Sequence, residues 1–161
     1  MNTNAQTKLS ITISPTSDKC AIGEKIGAQN IKDKSIPVVS CEGGCIRGEI
    51  ARLAANDVSK VKPFKRGCHG ELFTVPDSQI ALWMKTAEKV VCIDGCFLKC
   101  HSRVLENIID PSRLAVFDAL SHYKRFTDVF EIDDVPEEER KETAKKVSEW
   151  VIQSMNESSK G

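Results

Sequence analysis

The sequence predicts an α/β fold, a single domain with a largely parallel sheet flanked by helices, and three observations predict it. Short apolar runs with strand character alternate with segments whose apolar residues recur at helical spacing, the pattern of βαβ units. Two of those runs end directly in glycine- and cysteine-bearing turns, as strands do where a crossover helix follows. The chain has 161 residues, of which 40% are hydrophobic, enough for one buried core and too few for two comfortable ones.

Residues 9–14, Leu-Ser-Ile-Thr-Ile-Ser, alternate apolar and polar and read as a half-buried strand. Residues 19–35, rich in Gly, Asn, Lys and Asp, read as a connection. Residues 36–40, Ile-Pro-Val-Val-Ser, suit a buried strand, with Pro37 placed at its start. After the Gly43-Gly44 turn, residues 49–55 carry strong helix formers with an apolar face. Residues 60–70 are basic and broken by Pro63, Gly67 and Gly70, which predicts a loop. Pro76-Asp77-Ser78 opens a helix through Ala81, Leu82, Met84 and Ala87.

Residues 89–93, Lys-Val-Val-Cys-Ile, are the next buried strand, closed by an Asp94-Gly95 turn. Val104, Leu105, Ile108 and Ile109 give a helical face within residues 97–109, and Asp110-Pro111 ends it. Residues 114–117 predict a third strand of this series and residues 126–132 a fourth. The last helix spans about residues 136–155, with Ala144, Val147, Val151 and Met155 as its packing stripe. Its Glu137–Lys141 and Glu142–Lys146 pairs have the favourable i, i+4 spacing.

Composition narrows the function. Lys+Arg and Asp+Glu number 23 each, so the net charge is zero and no basic stripe suits nucleic acid. No apolar run reaches the roughly 18–20 residues that span a bilayer. The first 16 residues lack the basic stretch and apolar block of a secretory leader, which points to a cytoplasmic protein. Seven cysteines are then the unusual feature. An odd number cannot pair completely, and in a reducing compartment clustered thiols point to metal ligation or redox chemistry.

A weak internal repeat groups them. Shifted by 51 residues, Cys41-Glu-Gly-Gly-Cys45 falls on Cys92-Ile-Asp-Gly-Cys96, and Val39, Arg52 and Asn56 fall on Val90, Arg103 and Asn107. Each copy reads strand, Cys-x-x-Gly-Cys, helix. In a parallel sheet both loops leave from the carboxyl edge, so they can meet.

Structural zinc takes four thiolates in a tetrahedron, with paired ligands two to four residues apart. Cys41-x3-Cys45 and Cys96-x3-Cys100 both satisfy that spacing. If Cys96 and Cys100 share a helix, i and i+4 put them on one face. Cys41 sits where a strand gives way to a helix, whose dipole favours a thiolate, and Gly43, Gly44 and Gly95 permit the tight turns. Five clustered cysteines are one more than zinc needs, and the repeat by itself pairs Cys92 with Cys96.

Val39-Ser-Cys41-Glu-Gly-Gly-Cys45, followed by Ile93-Asp94-Gly95-Cys96-x3-Cys100, resembles the DGC family of zinc-binding proteins, named for its Asp-Gly-Cys motif. The likeness covers about residues 36–109. It implies Zn2+ as cofactor and Cys41, Cys45, Cys96 and Cys100 as its ligands, with Cys92 and Cys68 as lesser candidates, and it implies no defined reaction.

The rival is an enzyme. Cys41-x5-Arg47 between strand and helix is similar to the oxyanion loop of low-molecular-weight tyrosine phosphatases and arsenate reductases. That likeness implies Cys41 as nucleophile, Arg47 as oxyanion binder, and Asp110 of an Asp-Pro pair as general acid. Gly48 stands where that family has a hydroxyl residue, and Cys96 and Cys100 go unused. Iron–sulfur and thioredoxin-type motifs rest on Cys-x2-Cys, which is absent.

Other residues have plainer readings. Cys68-His69 lies in a Gly-rich loop between the clusters, where either can serve as a fifth or exchangeable ligand; the plainer reading is a loop cysteine and a surface histidine. A helical step of about 100° turns His101 away from Cys100. His122 has no evident partner. Asp94 is a turn residue bonding its own backbone. Arg47, Arg52 and Arg103 are placed to offset four thiolates, and Trp83 and Trp150 to anchor the core.

Overall fold

The computed structural model describes residues 8–161, and its centre is one four-stranded sheet in which all neighbours are parallel. The strands are β1 (Ile36–Ser40), β2 (Phe64–Arg66), β3 (Val90–Asp94) and β4 (Leu114–Asp118), in the spatial order β2-β1-β3-β4. Seven helices surround them: α1 (Ala21–Lys32), α2 (Ile46–Val58), α3 (His69–Thr74), α4 (Gln79–Thr86), α5 (Cys100–Leu105), α6 (Ala119–Tyr123) and α7 (Glu137–Ser158). This is the α/β fold that the alternating pattern predicts.

Period-two alternation decides which side chain meets which layer. Val38, Val91 and Ile93 face α2 and α7, where Ile50, Ala54, Val147 and Val151 complete one core. Val39, Val90 and Cys92 face the other side, against Trp83 and Met84 of α4 and Leu105 of α5. Trp83 is the expected anchor, fully buried with its indole N–H donating to the Ser35 carbonyl at 2.8 Å. Along α7 the pairs Lys141–Glu137 at 2.6 Å and Lys146–Glu142 at 2.9 Å form as the spacing predicts.

Four expectations fail for identifiable reasons. The alternating segment 9–14 is no strand: Thr16 N–H bonds the Thr74 carbonyl at 2.9 Å, so this stretch runs beside the helical layer, away from any strand edge. Leu9 and Ile11 stay 83% and 74% exposed. The supposed connection 19–35 contains α1, capped by the Cys20 sulfur, which accepts from Gly23 N–H at 3.3 Å. Its glycines serve packing, since a Cβ on Gly27 would lie 2.4 Å from the Gln79 carbonyl carbon of α4. The 60–70 loop holds the edge strand β2 and, from His69, the start of α3. Residues 126–132 do not pair in the sheet, because their carbonyls cap another element: Phe130 C=O accepts from Ile46 N–H at 2.9 Å.

Among the described residues no helix is long and apolar enough to cross a membrane.

Gly27→Ala is expected to lower stability by about 1–3 kcal/mol, because two backbones must part to admit the methyl group. Gly70→Ala, with nothing within 4 Å of the new atom and helical backbone, is expected to raise it by about 0.4–1 kcal/mol. Urea unfolding midpoints of the two variants check the contrast.

Candidate metal centre

The strand order places two cysteine loops side by side. β1 pairs with β3 in register, Val39 opposite Cys92 and Ser40 opposite Ile93. From β1 the chain crosses through α2 on one face to reach β2, whereas from β3 it crosses through α5 on the other face to reach β4. The crevice between diverging connections, at the carboxyl ends of the strands, is where open parallel sheets bind ligands. Here its walls are residues 41–45 and 95–100.

The first loop is tightly built. Cys41 N–H extends the sheet by bonding the Ile93 carbonyl at 2.9 Å, and Gly43 N–H bonds the Cys41 sulfur at 3.3 Å. Cys45 is the extended N-cap of α2, and its sulfur makes no capping bond. A Cβ on Gly48 would lie 2.4 Å from the Gly43 carbonyl oxygen, so the loop folds back onto the first turn of its own helix.

Three physical demands explain Asp94-Gly95-Cys96 in the second loop. Asp94 is fully buried, and its carboxylate accepts the His101 and Ser102 N–H groups at 3.0 and 3.3 Å, capping α5. It is thus a helix cap, not the self-bonded turn residue expected. Gly95 rests on the neighbouring loop: a Cβ there would lie 2.8 Å from the Arg47 carbonyl carbon and oxygen. Cys96, half-buried, follows at the point where the chain clears that contact. Lys99 then takes a left-handed conformation with φ 50°, and α5 begins only at Cys100. The expected helix over 97–109 is therefore shorter, and Cys96 and Cys100 flank a turn instead of sharing a helical face.

All seven cysteines are free thiols. Cys41, Cys45 and Cys96 are half-buried, Cys68 and Cys100 exposed, and Cys92 buried. Burial raises the Cys41 thiol above its ordinary pKa, the Gly43 and Gly95 N–H groups act against that, and the nearby Asp94 and Cys100 charges add to it. Cys41 therefore senses groups on both loops. Cys92 sits inside β3 with its thiol donating to Asp94 Oδ2 at 3.8 Å, and burial pushes its pKa far above the thiol range. The 51-residue repeat sets this strand interior against the loop residue Cys41, so it is not the register of the sheet. Among the described residues no three His, Cys, Asp or Glu side chains converge closely enough to hold a metal ion.

Tyr123 and Arg66, which composition and spacing did not single out, lie near the same edge. The Tyr123 hydroxyl is buried without a hydrogen-bond partner. Burial raises its pKa, Arg47 lowers it, and Cys45, Asp118 and Cys96 raise it further, so the phenol stands near a cysteine of each loop. Only its position between two unremarkable polar residues marks it in the sequence. Arg66 reaches the edge from β2, donating to the Val38 carbonyl and Ser40 Oγ at 3.3 Å and to Glu42 Oε1 at 3.2 Å. Cys68 is the N-cap of α3 and makes no capping bond. The His69 and His101 rings meet edge to face at 4.6 Å, so His69 is no isolated surface group. The partner that the sequence did not show for His122 is Trp150, on which it stacks at 4.5 Å.

The phosphatase-like arrangement lacks its supporting groups. The Arg47 guanidinium donates to the Thr127 and Val129 carbonyls at 3.2 and 3.5 Å, holding the 126–130 segment against α2. Asp110 precedes β4 and caps a 3₁₀ turn through Ser112 N–H, which places it at the amino edge of the sheet, opposite Cys41. The raised Cys41 thiol is also the reverse of an activated nucleophile.

The family model of the DGC domain matches residues 37–147. That span goes beyond the cysteine motifs to include β4, α6, the 126–130 segment and half of α7, the parts that close the crevice around Tyr123 and Arg47. No curated protein and no solved structure matches the chain.

With an aromatic disulfide reagent at pH 8, Cys20, Cys68 and Cys100 are expected to react fast and Cys92 only after unfolding. Stability is expected to fall as pH rises past 9.0, because the unfolded chain ionises Cys92 while the folded chain keeps it protonated. Cys92→Ala should show a shallower decline in urea titrations across that range. Asp94→Ala, which leaves two N–H groups of α5 unsatisfied, should cost about 1–3 kcal/mol by the same measurement.

Proposed function

This chain belongs to the DGC family, and from that premise we propose that it is a zinc-binding cysteine-cluster protein. One Zn2+ is held by the thiolates of Cys41, Cys45, Cys96 and Cys100, and the role is metal or thiol handling. Residues 1–161 act as one domain in the cytoplasm, with the ion as the partner and no nucleic acid or membrane involved.

The observation that carries the reading is the contact between the two cysteine loops across β1 and β3. The Gly95 backbone lies against the first turn of α2, and Cys41 takes N–H contacts from its own loop and from the other. Four free thiols on two touching loops suit a tetrahedral site in number and softness. Their side chains do not converge as they stand, so ligation requires Cys45, exposed Cys100 and half-buried Cys96 to turn inward. Bound zinc would supply a structural cross-link between the loops and hold the thiols as thiolates. Cys41 and Cys45 anchor the ion to β1 and α2, Cys96 and Cys100 to β3 and α5. The Tyr123 hydroxyl, buried without a partner, would offer its proton to a thiolate sulfur that turned toward it.

Elemental mass spectrometry on protein purified without affinity metals, with a parallel count of reactive thiols, tests this. About one zinc per chain is expected, with four thiols shielded until a chelator is added. Cys96→Ser and Cys41→Ser should lose the metal, and Cys92→Ser should keep it. A chain that takes up no zinc even after reduction and reconstitution overturns the reading.

A further inference from the structure

Beside the cysteine loops, at the same edge of the sheet, the turns into α3 and α5 bring together two imidazoles. We infer that His69 and His101 form a second metal subsite, an imidazole pair that takes a divalent transition ion of borderline softness such as Zn2+.

The distance is the first argument. The ring centres are 4.6 Å apart with the planes inclined at 64°. Two imidazoles on one ion, with metal–nitrogen bonds of about 2.0–2.1 Å, have ring centres roughly 4.5–5.2 Å apart as the angle at the metal opens from square to tetrahedral. The observed pair lies at the square end of that window, so a tetrahedral ion needs the rings to part by only about half an ångström. Aromatic packing, to which Phe73 at 6.1 Å from His69 contributes, accounts for the contact itself. It does not account for the second observation, that His69 Nδ1 is buried and bonds nothing in the protein. A buried ring nitrogen without a partner is uncommon, and a metal ion satisfies it.

No third His, Cys, Asp or Glu converges on the pair as it stands among the described residues. Two nitrogens therefore fix the ion, and water fills the remaining positions. Such a site exchanges its ion more readily than four thiolates do, so it serves as a point of entry to the cluster. The imidazole pair stands without the four-thiolate site, whereas its role as an entry point rests on that reading.

The chain has three histidines, and the third, His122, stacked on Trp150, is an internal control. The reduced full chain, nitrogen-labelled, is titrated with zinc while the imidazole resonances are followed by NMR and thiol shielding is measured in parallel. The expected result is that His69 and His101 shift together and saturate at one ion, while His122 does not move. In His69→Gln the His101 shift should be lost or weakened at least tenfold, and the reverse in His101→Gln. Imidazoles that stay unmoved at saturating zinc overturn the subsite, as does a His101 shift that survives in His69→Gln. Unmoved imidazoles with shielded thiols would leave the four-thiolate ion standing alone. Shifted imidazoles with reactive thiols would remove that ion and keep the histidine site.

Discussion

In-register parallel pairing of β1 with β3 puts two chain reversals at one point on the sheet edge, and the crossovers beyond them part to opposite faces. Without that pairing the cysteine motifs are separate turns, half a hundred residues apart in the chain. With it, the two loops meet so closely that side chains are excluded from the contact. The backbone at Gly95 abuts Arg47 and Gly48, and Gly48 abuts Gly43, leaving room for no Cβ at Gly48 or Gly95. A strand-to-strand hydrogen bond, Cys41 N–H to the Ile93 carbonyl, ties the first loop to the strand that launches the second. The crevice is therefore shaped mainly by main chain, which holds position better than long side chains do and leaves the cysteine sulfurs free to turn.

Asp94-Gly95-Cys96 divides the work of the second loop among three residue types. A carboxylate serves here because the Ser102 N–H is buried and the His101 N–H partly so, and both need an acceptor. Glycine is needed because the next residue touches another backbone. Cysteine comes where the chain first has space for a side chain facing the crevice. The motif is thus a folding device in its own right: replacing Asp94 disturbs α5, and replacing Gly95 disturbs the start of α2. The adjoining segment obeys the same logic from the other side, since carbonyls of 127, 129 and 130 receive Arg47 and the start of α2.

The sheet was legible because residues 36–40, 89–93 and 114–117 are short apolar runs whose turn signals coincide with their ends, even though β4 at the edge is only half-buried. The long C-terminal helix was equally legible from its stripe and ion pairs. What escaped was set by tertiary contacts with little local signature. Helix α1 hides because Gly27 and Asn30 occupy its buried face, so the residues that pack are those that read as loop formers. The alternation at 9–14 is real but meets no open strand edge, and Phe126 with φ 57° starts a segment whose carbonyls are claimed by α2. In the site, the two loops and their cysteines were evident from spacing. The cap made by Asp94 is local but depends on the left-handed turn at Lys99 that delays α5. The burial of the Tyr123 phenol depends on tertiary packing, and His69 meets His101 from a different strand loop, none of which spacing encodes.

Charge balance gives the arrangement its sign. Under the zinc reading four thiolates around Zn2+ carry a formal charge of −2, and two of the three expected arginine counterweights are committed elsewhere: Arg52 pairs with Glu49 at 2.9 Å and Arg47 binds carbonyls. What faces the sulfurs instead is fixed polarity, the N–H groups of Gly43 and Gly95 at Cys41, the amino end of α2 at Cys45, and the hydroxyl of Tyr123. Preoriented dipoles stabilise negative charge without attracting it permanently. In the absence of a cation, burial keeps Cys41 protonated above its ordinary pKa. Under the zinc reading, the ion must then displace protons from the thiols as it enters, and its grip strengthens as pH rises. On that reading, a half-buried thiol at Cys41 met by main-chain dipoles becomes charged as the cation enters.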